Sequence, residues 1–129
     1  MLIVEDNGLM RAALLQFLQS AFPGRAIHDV ADGASALAFV RERRPRLVLM
    51  DVSLPDANGI ELTAEIKAQF PEIRVIVVTQ LEGSHYIEHA RAAGAYAYVT
   101  KDKIYQKLLP LARRVLGVEQ QSPASPGTD

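Results

Sequence analysis

The sequence predicts an α/β protein, an open, doubly wound sheet of five parallel strands with helices on both faces, a (βα)5 three-layer sandwich. Three observations predict it. Continuous apolar runs, Leu47-Val48-Leu49-Met50 and Val75-Ile76-Val77-Val78, read as strands covered on both sides. Segments with apolar residues three and four apart separate such runs and read as helices. The two kinds of segment alternate along the chain, and strands joined by helical crossovers form parallel sheets with right-handed connections.

Leu2-Ile3-Val4 is the first strand. Residues 8–21 form the first helix, with Leu9, Met10, Ala13, Leu14, Phe17, Leu18 and Ala21 on its apolar stripe. Asn7 is its N-cap, and Pro23-Gly24 ends it. Ala26-Ile27 and Val30-Ala31 mark a weak second strand, and residues 33–44 a second helix stopped by Pro45. The third strand, 47–50, runs out at Asp51. Pro55, Asp56, Asn58 and Gly59 make a polar turn before a third helix at 60–70, with Leu62, Ile66 and Phe70 four apart. The fourth strand, 75–78, ends at Thr79; residues 83–93 form a fourth helix capped by Gly94. Tyr96 to Val99 is the fifth strand, ending near Lys101, and residues 105–116 form the last helix before Gly117. Pro110 fits that helix only if the helix starts late, with Pro110 in its first turn. Residues 1–117 are thus one folded domain. Residues 118–129, with Val118 their only bulky apolar side chain, read as a disordered tail or linker.

Composition narrows the function. The 129 residues include no cysteine, which excludes a disulfide framework, thiol redox chemistry and cysteine-ligated zinc. No apolar stretch reaches the length of a membrane span, and no signal peptide opens the chain, so a cytoplasmic location is expected. The net charge of −1 lacks the basic surplus of a nucleic-acid module, so direct nucleic-acid binding by this chain is not expected.

Ligands of open α/β sheets gather at the carboxyl ends of the strands. Glu5-Asp6, Asp51, Thr79 and Lys101 all fall there, on four different strands. Taken singly each is an ordinary polar loop residue; together they form a constellation. Crowded carboxylates raise one another's pKa unless a cation sits among them. With oxygen-only ligands the hard ion Mg²⁺ is preferred. Asp51 then serves as a nucleophile toward a phosphoryl group, with Lys101 pairing one phosphoryl oxygen and Thr79 donating to another.

Leu2 to Asn7, Leu49 to Gly59, Val77-Val78-Thr79 and Gly94 to Lys101 resemble the motifs of a response-regulator receiver domain, which has a flavodoxin-like fold. The resemblance covers residues 1–117, and its motif residues Asp6, Asp51, Thr79 and Lys101 are separated by 45, 28 and 22 residues. It implies that Asp51 accepts phosphate from a sensor histidine kinase or a histidine phosphotransfer protein. It implies that Glu5, Asp6, Asp51 and the backbone carbonyl of Ser53 hold Mg²⁺. It also implies that Thr79 and Tyr98 relay the change to the face made by the fourth helix, fifth strand and fifth helix. That face is a possible homodimer contact. Such receivers usually precede a helix-turn-helix DNA-binding domain. The chain departs from the pattern at Glu5, where aspartate is commoner and where the longer side chain is expected to reach the ion through water. It also departs at Leu54, where methionine is commoner, and at Asp102, where proline is common. Gln80 and Leu81 are placed to shield the phosphoryl group.

Three other readings compete. A haloacid-dehalogenase-like phosphatase wants a second aspartate two residues after the nucleophile, where Ser53 stands. A flavin module needs a hydroxyl- and glycine-rich phosphate loop after the first strand, where Glu5-Asp6 repels phosphate. A degenerate receiver, an interaction module independent of phosphorylation, is opposed by the intact Asp6, Asp51, Thr79 and Lys101. His85 and His89, four apart, have metal-ligand spacing but no evident third ligand and read as a solvated or partner-facing pair. His28 reads as an edge residue. The arginines of Arg41 to Arg46 read as a solvated helix end favoured by the macrodipole.

Overall fold

The structure, a computed structural model, describes residues 1–80 and 84–117. The expected tail at 118–129 and the residues Leu81 to Gly83 lie outside the described residues. Strands β1 (Leu2–Val4), β2 (His28–Val30), β3 (Leu47–Asp51), β4 (Arg74–Thr79) and β5 (Ala97–Thr100) alternate with helices. These are α1 (Gly8–Ala21), α2 (Gly33–Arg43), α3 (Gly59–Gln69), α4 (Ser84–Ala92) and α5 (Ile104–Leu116). A 3-10 turn, Lys101–Lys103, joins β5 to α5. The sheet order is β2-β1-β3-β4-β5, with every pairing parallel. The order reverses beside β1, so a crevice opens between the carboxyl ends of β1 and β3.

The strands' period of two divides the core. Leu2, Val4, Val48, Met50, Val75 and Val77 pack on one face against Ala36 and Val40 of α2, Ile60, Leu62 and Ile66 of α3, and Ala90 of α4. Ile3, Leu47, Leu49, Ile76, Val78 and Val99 pack on the other against Leu14 and Leu18 of α1 and Ile104, Leu108, Ala112 and Leu116 of α5. Every residue of β3 is buried, which is why its sequence shows no alternation.

Short polar side chains start the helices. Asn7 accepts from the backbone N–H of Met10 at 3.0 Å, Asp32 from Ser35 at 2.7 Å, and Asn58 from Ile60 at 2.8 Å. Gly117 ends α5 in the left-handed region, at φ 77°.

The boundaries depart from expectation by a residue or two. Asp51 and Thr79 are inside their strands, because the ladder continues to them through the pairs Asp51–Val78 and Thr79–Thr100. The second strand is His28–Val30, narrower than the two flanking apolar pairs suggest, because only those residues pair with β1. The last helix does not start late: Pro110 lies in its interior. Pro110 is solvent-exposed, so water can satisfy the carbonyl its missing N–H leaves unpaired. The Lys101–Asp102 peptide is trans.

Candidate functional site

The crevice between β1 and β3 collects the predicted carboxylates. Glu5 follows β1 and is buried; Asp6 is exposed; Asp51 closes β3 and is buried. One oxygen from each lies within 4.8 Å of the others. Lys101, one residue past β5, reaches in from the side. Its Nζ lies 2.9 Å from Glu5 Oε1 and 3.5 Å from Asp51 Oδ2. The second oxygen of Glu5 accepts the backbone N–H of Asn7 at 3.1 Å, so Glu5 is engaged by protein groups on both oxygens.

Charge in the crevice is only partly balanced. Burial pushes the Asp51 carboxyl up to about 6, helped by the charge of Glu5 and a hydrogen bond to it. Lys101 and the Ser53 N–H, which donates to Asp51 Oδ1 at 3.4 Å, pull it back in part. Burial alone lowers the Lys101 ammonium; its hydrogen bond to Glu5 and the charges of Asp51 and Glu5 outweigh that and hold it above its ordinary value. Three carboxylates against one ammonium leave a deficit of two positive charges. A hard divalent cation matches that deficit, and the donor set is all oxygen.

The loop after β3 is tightly built. The N–H of Gly59 donates to the Val52 carbonyl at 2.7 Å, the N–H of Leu54 donates to Ala57 at 3.2 Å, and Ser53 and Asn58 form an isolated antiparallel bridge. A Cβ on Gly59 would collide with the Asp51 carbonyl, so glycine is required beside the acidic residue. Asp56 anchors the loop's outer side. Its carboxylate accepts the N–H groups of Gly33 at 2.7 Å and Ala34 at 3.0 Å, the first turn of α2. Those two bonds hold its carboxyl below the usual range. On the other flank, Arg11 donates to the Glu5 carbonyl at 2.9 Å and pairs with Asp29 at 3.0 Å, fixing the turn that carries Glu5 and Asp6. Asp56 and Arg11 escaped the sequence reading. Asp56 is legible there only as a turn residue, and nothing in the spacing ties it to Gly33, 23 positions earlier.

Thr79 is buried at the end of β4. Val77 and Thr79 share the sheet face that packs on α2, α3 and α4, and Tyr98 of β5, paired with Val77, packs on that same face. Tyr98 is half-buried and lines a groove of about 130 Å³ with Ile87, Ala90 and Arg91 of α4. A larger open cleft of about 430 Å³ lies next to the crevice, bounded by Ser53, Leu54, Asn58, Glu61, Tyr86 and His89. His85 and His89 are exposed on α4 with ring centres 4.2 Å apart; among the described residues, the one group of three or more candidate metal ligands is Glu5, Asp6 and Asp51. His28 packs its ring on Phe39 at the sheet edge. No helix among the described residues is long and apolar enough to cross a membrane.

Comparison with known proteins decides the family. The model of the response regulator receiver domain matches residues 1–113. The chain belongs to this family. Receiver domains are the signalling domains of two-component systems, in which histidine kinases are their partners, and they are not enzymes of the ordinary kind. The receiver is 31% identical over 115 residues to the transcriptional activator protein ExaE of Pseudomonas putida, covering 89% of this chain and 54% of that protein. It is 33% identical over 117 residues to the transcriptional regulatory protein YhcZ of Bacillus subtilis, covering 91% and 54%. The chain thus spans about half the length of the curated relatives it matches. Among solved structures it resembles a LuxR-family two-component response regulator from Aurantimonas, with a TM-score of 0.80, 31% identity and coverage of 90% and 84%. It also resembles a CheY-like receiver domain protein from Methanospirillum hungatei, with a TM-score of 0.83, 26% identity and coverage of 95% and 96%. These neighbours share the flavodoxin-like sheet expected from the sequence.

Proposed function

We propose that this receiver is a phosphorylation-dependent switch in which Asp51 is the phosphoacceptor. The observation that carries the reading is the crevice itself: a buried carboxylate, two neighbouring acids and one lysine in contact with two of the three. With its carboxyl near 6, Asp51 is mostly ionised at neutral pH and can act as the nucleophile. Asp51 Oδ attacks the phosphorus of a phosphohistidine on a sensor histidine kinase or phosphotransfer protein. The new O–P bond forms as the P–N bond breaks, and the imidazole leaves. Asp6, Asp51 and the Ser53 carbonyl, with Glu5 reaching through water, would hold Mg²⁺, and the ion would neutralise charge on the phosphoryl group. Lys101, already 3.5 Å from Asp51, exchanges that contact for a phosphoryl oxygen.

Thr79 and Tyr98 are the relay. Both belong to the face covered by α4, two register positions apart on neighbouring strands, so a turn of the Thr79 hydroxyl toward the phosphoryl group changes the space open to the Tyr98 ring. The output is the face of α4, β5 and α5, where a partner, an output domain or a second copy binds. By analogy with its relatives, this receiver controls a transcription regulator, and it works in the cytoplasm. The chemistry is limited to self-catalysed transfer of the phosphoryl group to Asp51 and its hydrolysis from Asp51 by water.

The test is an intact-mass measurement after incubation with Mg²⁺ and acetyl phosphate. One acid-stable, base-labile phosphate is expected on the wild type and none on Asp51→Asn. Absence of the adduct with several donors would favour an interaction module independent of phosphorylation. Steady hydrolysis of phosphomonoesters would favour the phosphatase. Thr79→Ala should accept phosphate yet respond weakly; phosphate-dependent partner binding at wild-type strength would remove Thr79 from the relay.

A further inference from the structure

The opposite edge of the sheet carries its own cluster. Arg44, Arg46 and Arg74 line an open polar cleft of about 260 Å³ together with Pro45, Glu72 and Val115, at the amino-terminal ends of β3 and β4. The three side chains come from the end of α2, the entry to β3 and the first residue of β4. Among the described residues, no carboxylate pairs with any of the three guanidiniums. Arg44 stacks 4.8 Å from the centre of the Phe70 ring. Arg46 donates to the Val115 carbonyl at 3.1 Å, in the last turn of α5. Arg74 lies 6.0 Å from the centre of the Tyr96 ring. Glu72 offsets one of the three charges, so the cleft keeps an excess of two.

The backbone adds a second observation. Arg44 is the non-glycine residue with positive φ among the described residues, at φ 48° and ψ 66°. A helix end of this shape favours glycine or asparagine. An arginine there accepts backbone strain and delivers a guanidinium to the cleft. The neighbouring Lys67 donates to the carbonyls of Pro71 and Ile73; burial first and the charge of Arg74 second hold its ammonium below the ordinary value, against the opposing charge of Glu72.

We propose that Arg44, Arg46 and Arg74 form an anion site for a small phosphate-bearing ligand, at the sheet edge opposite the Asp51 crevice. The planar guanidinium fork matches phosphate oxygens two at a time, and an excess of two charges suits a doubly charged group. Three side chains pre-arranged around one cleft, and not strung along a stripe, favour a compact ligand over a nucleic-acid strand. Stacking on Phe70 orients Arg44 and the Val115 carbonyl orients Arg46 in advance, which lowers the entropy lost on binding.

Calorimetric titration of the 129-residue chain with pyrophosphate, at low ionic strength and with EDTA, tests the assignment. Without a divalent cation the Asp51 crevice repels anions, so the signal reports the arginine cleft. One saturable site is expected, unchanged in Asp51→Asn. The double variant Arg44→Gly, Arg74→Gln should bind at least tenfold more weakly. Its fold is checked by urea unfolding, where glycine takes φ 48° without strain. Orthophosphate should compete with pyrophosphate for the same site. The proposal is overturned if the wild type shows no saturable binding, if the folded double variant binds as tightly, or if Asp51→Asn abolishes the signal. It is also overturned if a short DNA duplex binds through these arginines, with a steep salt dependence, while pyrophosphate does not.

Discussion

Replacing Asp51 by asparagine should make the metal-free protein more stable at neutral pH. The Asp51 carboxyl titrates at about 6 in the fold, against 3.8 for an ordinary aspartate. The folded state therefore holds the Asp51 proton more tightly than the unfolded chain does. Above about 6 the ionised carboxylate costs stability; the cost fades as pH falls through 6 and is gone below 3.8. At about 1.4 kcal/mol per pH unit, the displacement is worth about 3 kcal/mol. Asparagine is nearly isosteric and uncharged, and Lys101 keeps its 2.9 Å contact to Glu5, so the variant escapes most of this cost. Urea unfolding followed by far-UV circular dichroism, in EDTA, reads the difference. At pH 7.5 the variant should exceed the wild type by about 1–3 kcal/mol, which for a domain near 100 residues is a rise in Tm of roughly 5–15 °C. At pH 4 the gap should shrink toward zero, because the wild type then carries a proton where the variant carries an amide. The carboxylates away from the crevice are common to both proteins and cancel in the comparison; Glu5, whose charge and hydrogen bond reach Asp51, does not. Added Mg²⁺ at ten times its Kd should return about 1.4 kcal/mol to the wild type and less to the variant. A variant no more stable than the wild type at pH 7.5 would show that Lys101 already neutralises the crevice, and the reasoning from uncompensated charge would fail.

Other parts of the fold make further predictions. Gly59→Ala drives a methyl group into the Asp51 carbonyl and should cost about 1–3 kcal/mol in urea unfolding and slow phosphate acceptance, whereas the same change at Gly8, which has open space around it, should leave acceptance unchanged. Asp56 owes its lowered carboxyl to two α2 N–H groups, so its contribution to stability is present above 3.8 and is lost as pH falls through the depressed value. Asp56→Asn should flatten that acid limb of the stability curve, and an unchanged limb would remove the clamp. Leu108, fully buried between α5 and the sheet, should cost about 2–5 kcal/mol when cut to alanine. Pro110→Ala restores a backbone donor inside an exposed stretch of α5 and should stabilise by about 1–3 kcal/mol; a loss of stability would mean that the ring makes a contact the helix needs.

The fold was legible because its signals are local. A fully apolar run such as Leu47 to Met50 specifies a doubly covered strand, and the Leu62, Ile66, Phe70 spacing specifies a helix, whatever lies elsewhere. Alternation then forces a parallel sheet, and a parallel sheet brings every strand's carboxyl end to one edge. Glu5, Asp6, Asp51, Thr79 and Lys101 could therefore be gathered from their places after strands alone. The place of Pro110 inside α5 is not legible in the sequence, because its cost depends on exposure, which periodicity does not report.

What the tertiary structure decided are relations between residues far apart in the chain. Lys101 pairs with both Glu5 and Asp51, so Glu5 is a buried, doubly engaged acid as well as a candidate ligand. Asp56 reaches back to cap α2, and Arg44, Arg46 and Arg74 meet around one cleft although they sit in three different elements. The sequence by itself determined the elements, their order and the edge where Glu5, Asp6, Asp51, Thr79 and Lys101 gather. Which groups touch across that edge, and how far each charge is compensated, depends on strand register and packing. Those distances are set by the whole core, so no local pattern can carry them.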